Sequence, residues 1–160
     1  MSASDSTSIA ARLSALGVDV PDAPAPLAAY VGYTLYNGIV IVSGQLPLKA
    51  GELQQTGLLG DGVSIEQGAA AAQVCAINIL AQVKAACDGD LERIVRCLRL
   101  GGFVASTPDF TDHPKVINGA SEFIGEALGE RGAHARAAVG VAALPLNASV
   151  EIEATFAIAS

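Results

Sequence analysis

Arg136 and the alternating pair Glu151 and Glu153 are the side chains whose types and spacing suggest chemistry on a small anion. A guanidinium holds a carboxylate through two parallel charge-assisted hydrogen bonds. A carboxylate beside an electrophilic carbon can take the proton of an attacking water. Between His134 and Leu144, Val139 and Val141 share one face of a strand, while Arg136, Ala138, Gly140 and Ala142 share the other. That second face is one cation among very small side chains, which leaves room for a ligand or a neighbouring backbone to come close.

After a turn from Pro145 to Ser149, Val150, Ile152, Ala154, Phe156 and Ile158 alternate with Glu151, Glu153 and Thr155. This is the period of a half-buried strand. If the two strands pair as a hairpin, their apolar faces must coincide, because a one-residue slip would set valines against glutamates. That pairing puts Arg136 and both glutamates on one sheet face, with Arg136 opposite Ala157. Glu151 is then roughly 20 Å from Arg136 at about 3.3 Å per residue. The two cannot meet within one chain, and a shared site requires a second copy.

The chain has 160 residues, which suits one domain with a real core. Hydrophobic residues make up 51% and charged residues 16%, an apolar excess that either a subunit burying further surface in an oligomer or an unusually large core would explain. No uninterrupted apolar run approaches a membrane span, and Met1 to Asp5 lacks the basic and apolar regions of a secretory signal. A net charge of −7 with only nine Lys and Arg argues against a nucleic-acid partner. Cys75, Cys87 and Cys97 are odd in number, form no C-x-x-C and fall in helix or strand patterns. They read as small buried hydrophobes of a reduced, cytoplasmic protein. His113 and His134 are the only histidines, and no metal site is expected.

The elements that must position these residues follow in order. Ser8 to Leu16 reads as a short helix stopped by Gly17. Val18 to Pro26 carries three prolines and is an extended connector. Tyr30–Tyr36 and Ile39–Leu46 flank Asn37-Gly38, the strongest short-range hairpin signal. Leu48 to Gly62 is a glycine-rich loop with room for one short strand. Ser64 and Gln67 form a capping box for a helix running to about Cys87, striped by Ile65, Ala69, Ala72, Ala76, Ile79 and Val83. Ile94 to Ala105 is a strand apolar on both faces, and Gly101-Gly102 in its middle suggests a bulge or a close approach. Thr111 or Asp112 caps a second helix, striped by Val116, Ala120, Phe123 and Ala127 and ending at Gly129. Gly119 and Gly125 inside it point either to tight packing or to a less regular helix. The order is β-β-(β)-α-β-α-β-β, an α+β fold with both helices on one sheet face. The other face lacks cover and reads as an oligomer interface.

These residues resemble the YjgF/YER057c/UK114 family, also called the RidA family. The resemblance spans about Ala23 to Ile158 and rests on Tyr30, Asn37-Gly38, Ser43-Gly44-Gln45 with Pro47, Asp109-Phe110, and Val116 with Asn118. Its strongest pieces are Ala135-Arg136 and Leu144-Pro145 followed by Val150-Glu151-Ile152-Glu153-Ala154. The resemblance implies a chorismate-mutase-like fold over residues 23–160, preceded by an N-terminal helix and linker over 1–22. It also implies a homotrimer whose sheets line an inner barrel, with ligand clefts between subunits. Family members hydrolyse reactive imines and enamines such as 2-iminopropanoate to 2-oxo acids and ammonia, without a cofactor. By that analogy Arg136 grips the substrate carboxylate and Glu151 activates water. Tyr30, Ser43, Gly44, Phe110, Asn118 and Ala138 line the cleft, with Tyr30 and Asn118 reaching in from an adjacent chain. His134 stands where many members have proline and Ala138 where a cysteine is common, which marks a divergent, longer branch.

Other readings accompany these. The same fold could bind small carboxylates without turnover, or carry the endoribonuclease activity of some relatives, which the acidic balance disfavours. A chorismate-mutase-type isomerase would need a second cation beside Arg136. Glu153 reads as an exposed alternating glutamate, and His134 as an ordinary loop histidine. Ser43 lacks a His/Asp companion pattern for a nucleophile, and Gly101-Gly102 precedes no helix that could make it a phosphate loop.

Overall fold

Asn37 and Gly38 both adopt positive φ, 50° and 75°, and turn strand β1 (Tyr33–Tyr36) back onto β2 (Ile39–Gln45). The matched twist of such a two-residue turn fixes the register, with Tyr36 opposite Ile39. The computed structural model describes residues 7–24 and 29–160. Pro26, the last proline of the connector, lies outside the described residues.

Ahead of the hairpin, helix α1 (Ile9–Ala15) is capped by the Ser8 hydroxyl and released at Gly17, φ 67°. Ile9 and Leu13 join the main core. The stretch expected as a loop with one short strand holds four two-residue strands. β3 (Leu48–Lys49) pairs antiparallel with β4 (Glu52–Leu53), and β5 (Leu58–Leu59) pairs parallel with β6 (Gly62–Val63). The Asn78 amide ties this segment down by donating to the carbonyls of Leu46 and Leu48.

Helix α2 (Ile65–Ala86) begins at the expected capping box, with Ser64 and Gln67 satisfying each other's backbone N–H. By length and composition it could cross a membrane. Here it is the core helix, burying Ala72, Cys75, Ala76, Ile79 and Val83 against β2 and the C-terminal strand. Asp88 and Gly89 at positive φ end it. β7 (Ile94–Ala105) and α3 (His113–Leu128) follow, then β8 (Ala135–Val141) and β9 (Val150–Ile158). Gly119 lets the helices close: a Cβ there would collide with the Ala69 backbone of α2.

The main sheet runs β1-β2-β9-β7-β8. The hairpin expected between the two C-terminal strands is absent, because β7 lies between them, antiparallel to β9 and parallel to β8. The helix-side residues explain the order. β9 turns Val150, Ile152, Ala154, Phe156 and Ile158 inward, all buried, and burying a Val, Ile or Phe is worth about 1.5–3 kcal/mol. β8 offers Arg136, Ala138 and Gly140, which gain little from burial and include a charge that needs a wet edge. β9 therefore takes a central place and β8 an edge, with α3 as the crossover that parallel pairing requires.

Gly101 and Gly102 sit in regular register; the irregularities of β7 fall between Ile94 and Arg96 and between Cys97 and Arg99. The glycine pair marks a close approach instead. A Cβ on Gly102 would stand 2.6 Å from Ile117, and one on Gly101 2.7 Å from the Glu153 side chain. On the face away from the helices, Ile41, Thr155, Arg99 and Ala135 form one row across the sheet. Glu151, Phe103 and Val139 form another. Ile41 and Val139 are exposed there, with nothing packed over them among the described residues.

Candidate active site

The chemistry-bearing residues gather in two groups on opposite faces of the sheet. Arg136 is in register with Leu100 and, through it, with Ala154, both buried beneath the helices. Its side chain therefore points to the helix side, where α3 meets it. Nη1 donates to Asn118 Oδ1 at 2.8 Å and to Ser121 Oγ at 3.1 Å, and Nη2 lies 3.4 Å from the Pro114 carbonyl. Pro114, Asn118 and Ser121 follow one another at helical spacing and form the polar stripe of α3 that faces the edge strand. Both hydrogens of Nη1 are thus used. Nη2 gives one hydrogen to Pro114, and among the described residues no acceptor holds Nε, so Nε–H and the second Nη2 hydrogen are left for a ligand.

Ala138 lies one pleat repeat from Arg136, about 7 Å along the strand, and packs against the core. The space expected beside Gly140 is filled by this chain: a Cβ there would collide with His113, whose Nε2 is 3.0 Å from Ser106 Oγ. Phe110 meets the same imidazole edge-on, with ring centroids 5.2 Å apart.

The second group forms on the open face. Glu151 lies in the row of Phe103 and Val139, and its carboxyl rests against the bare backbone of Gly44, in the irregular stretch of β2 between Val42 and Gln45. Any Cβ on Gly44 would displace it. Burial first, and then the charge of Glu153, raises the Glu151 pKa above the ordinary glutamate range. Ser43 is next in line, its hydroxyl donating to the Val31 carbonyl at 2.7 Å, and Tyr30 is exposed one residue before Val31. Glu153 has a partner, Arg99 Nη1 at 2.9 Å, so it is more than an exposed alternating residue.

Two expectations are therefore corrected. Arg136 and the glutamates do not share a face, because β7 separates the strands and the register through Leu100 turns Arg136 toward α3. Asn118 lies with the Arg136 of its own chain rather than reaching toward another's. The separation of Arg136 from Glu151 within one chain holds for a different reason: the sheet itself stands between them.

The family model described as "YjgF/chorismate_mutase-like, putative endoribonuclease" matches residues 10–157. This chain belongs to the YjgF/chorismate mutase-like family. Protein TCP17 of Trypanosoma cruzi is 44% identical over 155 residues, covering 96% of each chain. The structure of Atu1372 from Agrobacterium tumefaciens is 52% identical, with a TM-score of 0.89, over 94% of this chain and 92% of that one. A Shewanella oneidensis protein described as a "putative endoribonuclease" is 32% identical, with a TM-score of 0.90, over 95% and 100%.

Within this YjgF-family frame, two residues of the Arg136 group stand outside the sequence reading. Ser121 was legible only as a polar residue three positions after Asn118 on an otherwise striped helix. His134, read as an ordinary loop histidine, has two partners: Ser121 Oγ at 2.9 Å from Nε2 and the Gly132 carbonyl at 2.6 Å from Nδ1. Neither signal is local, since each depends on α3 lying along β8. The three cysteines are buried thiols whose burial raises their pKa, Cys97 to about 12, which leaves little thiolate for chemistry. Among the described residues no three His, Cys, Asp or Glu side chains converge as metal ligands.

Proposed function

We propose that this chain is a cofactor-independent hydrolase of reactive imines or enamines that carry a carboxylate, acting in clefts between three copies in a cytoplasmic setting. The observation that carries the reading is the Arg136 fork, held by Asn118, Ser121 and the Pro114 carbonyl with Nε–H and one Nη2 hydrogen still uncommitted. Two parallel N–H bonds from that edge suit a planar carboxylate. Glu151 stands on the opposite face of its own sheet, so a neighbouring copy brings its Glu151, Gly44, Ser43 and Tyr30 to the Arg136 cleft. Asn118, Phe110 and Ala138 complete the lining from the Arg136 side.

An iminium carbon is already electrophilic, so orientation and one base suffice. Water forms the new C–O bond and gives its proton to Glu151. Glu151 returns that proton to the carbinolamine nitrogen, the C–N bond breaks, and ammonia leaves as the hydroxyl gives its own proton to Glu151 and becomes the carbonyl of a 2-oxo acid. The raised proton affinity of the half-buried Glu151 carboxyl favours its role as that base over simple ligand binding.

An RNA substrate fits less well. Of the nine Lys and Arg, Lys84, Arg93, Arg99, Lys115 and Arg131 are already in ion pairs with this chain's own carboxylates. Few remain for phosphate neutralisation. The test is ammonia release from freshly generated 2-iminopropanoate. Wild type should exceed the buffer rate and Arg136→Ala should not; equal rates for the two proteins would overturn the reading.

A further inference from the structure

We infer that His134 is a positioning residue that sets which edge of the Arg136 guanidinium faces the cleft, acting through the hydroxyl of Ser121. The inference rests on Arg136 being the carboxylate binder and adds a device to that site. His134 Nδ1 is 2.6 Å from the Gly132 carbonyl oxygen, which can only accept, so Nδ1 carries the hydrogen. In the neutral ring Nε2 is then an acceptor, and the Ser121 hydroxyl, 2.9 Å away, donates to it. A hydroxyl has one hydrogen. With that committed to His134, Ser121 Oγ presents only lone pairs to Arg136 Nη1 at 3.1 Å.

The donors thus run in one direction: Arg136 to Ser121, Ser121 to His134, and His134 to the Gly132 carbonyl. Asn118 Oδ1 takes the other Nη1 hydrogen. Nη1 is saturated from inside the protein and one Nη2 hydrogen goes to the Pro114 carbonyl, so Nε–H and the second Nη2 hydrogen are what remain. Without the imidazole acceptor, the Ser121 hydroxyl is free to rotate, and in rotamers that turn its hydrogen toward the guanidinium the Oγ lone pair no longer receives the Nη1 hydrogen. The arginine would then lose one of the three bonds that fix its plane.

Two substitutions separate this role from a merely structural one. In His134→Gln the longer side chain places an acceptor near Nε2, whereas in His134→Asn the shorter one reaches only the position of Nδ1 and keeps the tie to Gly132. Pyruvate binding, measured by calorimetry, should weaken about tenfold in His134→Asn and in Ser121→Ala, the loss of roughly one hydrogen bond to a charged group. His134→Gln should stay within about threefold. In turnover the same variants should raise KM and leave kcat nearly unchanged, since the carboxylate grip serves ground and transition states alike. The independent readout is NMR of the Arg136 side chain. Slow rotation about its Nε–Cζ bond should persist in wild type and His134→Gln and be lost in His134→Asn and Ser121→Ala. If His134→Asn keeps the wild-type rotation and affinity, the imidazole only secures the Gly132 turn and the inference is overturned. If wild type binds no pyruvate, the carboxylate-binding reading of Arg136 falls, and the rotation pattern alone still decides for or against the relay.

Discussion

Arg136 and Glu151 occupy opposite faces of one sheet, with β7 and the Leu100 and Phe103 rows between their strands. Arg136 bonds to α3, while Glu151 lies against Gly44 on the open side. Their distance is set by the order of strands rather than by the length of any side chain, so no rotamer change within one chain can bring them to a common ligand.

Complementation between inactive variants follows from that geometry. Arg136→Ala and Glu151→Gln should each lose turnover, yet unfolding and refolding them as an equal mixture should restore it. Random assembly pairs an intact arginine with an intact glutamate in about a quarter of clefts between copies. Assays of the refolded mixture check this, and a mixture as inactive as its parents would place both residues in one chain's site.

The raised pKa of Glu151 gives the proposed mechanism a pH dependence of definite sign. With Glu151 as the proposed base, turnover requires its carboxylate form, so the acidic limb of the rate profile should lie above the ordinary glutamate range. Glu153→Gln, which removes the adjacent negative charge, should move that limb to lower pH. Losing the base in Glu151→Gln should cost at least about a hundredfold in kcat. Stability runs the other way. A carboxyl with a raised folded pKa binds more protons folded than unfolded, so its favourable contribution is present below the unfolded value and lost as pH rises through the folded one. Thermal melts at neutral pH should therefore find Glu151→Gln no less stable than wild type.

Gly119→Ala sets helix propensity against packing. Alanine favours an isolated helix by about 1 kcal/mol, but its Cβ would enter the Ala69 backbone of α2, which has no side-chain freedom with which to yield. Overpacking at a backbone contact costs typically about 1–3 kcal/mol, so the collision wins. Denaturant melts should show a lower midpoint with an unchanged slope.

One carboxylate anchors the N-terminus of helix α1. Glu92 Oε1 accepts the backbone N–H of Ile9 at 2.6 Å, and Oε2 pairs with Arg131 at 3.0 Å. Burial pushes the Glu92 pKa upward, but Arg131 and the N–H groups of Ile9 and Ala10 outweigh it and hold the group below its ordinary range. The stability this supplies is present above the unfolded glutamate value and is lost as pH falls through the depressed folded one. Hydrogen exchange should show α1 opening first in acid, and opening at neutral pH in Glu92→Ala while β9 stays protected.

Local chemistry in the sequence determined the parts of this protein. The Asn37-Gly38 turn, the Ser64 and Gln67 capping box, the alternation of β9 and the apolar stripes of the two main helices each follow from residues within a few positions of one another. So did the family, since its motifs are short and ordered along the chain. Tertiary structure alone decided that β7 comes between β8 and β9. Alternation tells which side chains share a face of one strand, but which strands are neighbours depends on pairings distant in sequence. The eight residues from Ala142 to Ser149 can close a hairpin or cross a strand end equally well. From that single choice follow the face of Arg136, the company of Asn118, Ser121 and His134, and the isolation of Glu151 on the open side. Burial energy made the choice: β9 had large side chains to hide, and β8 had a charge to keep near water.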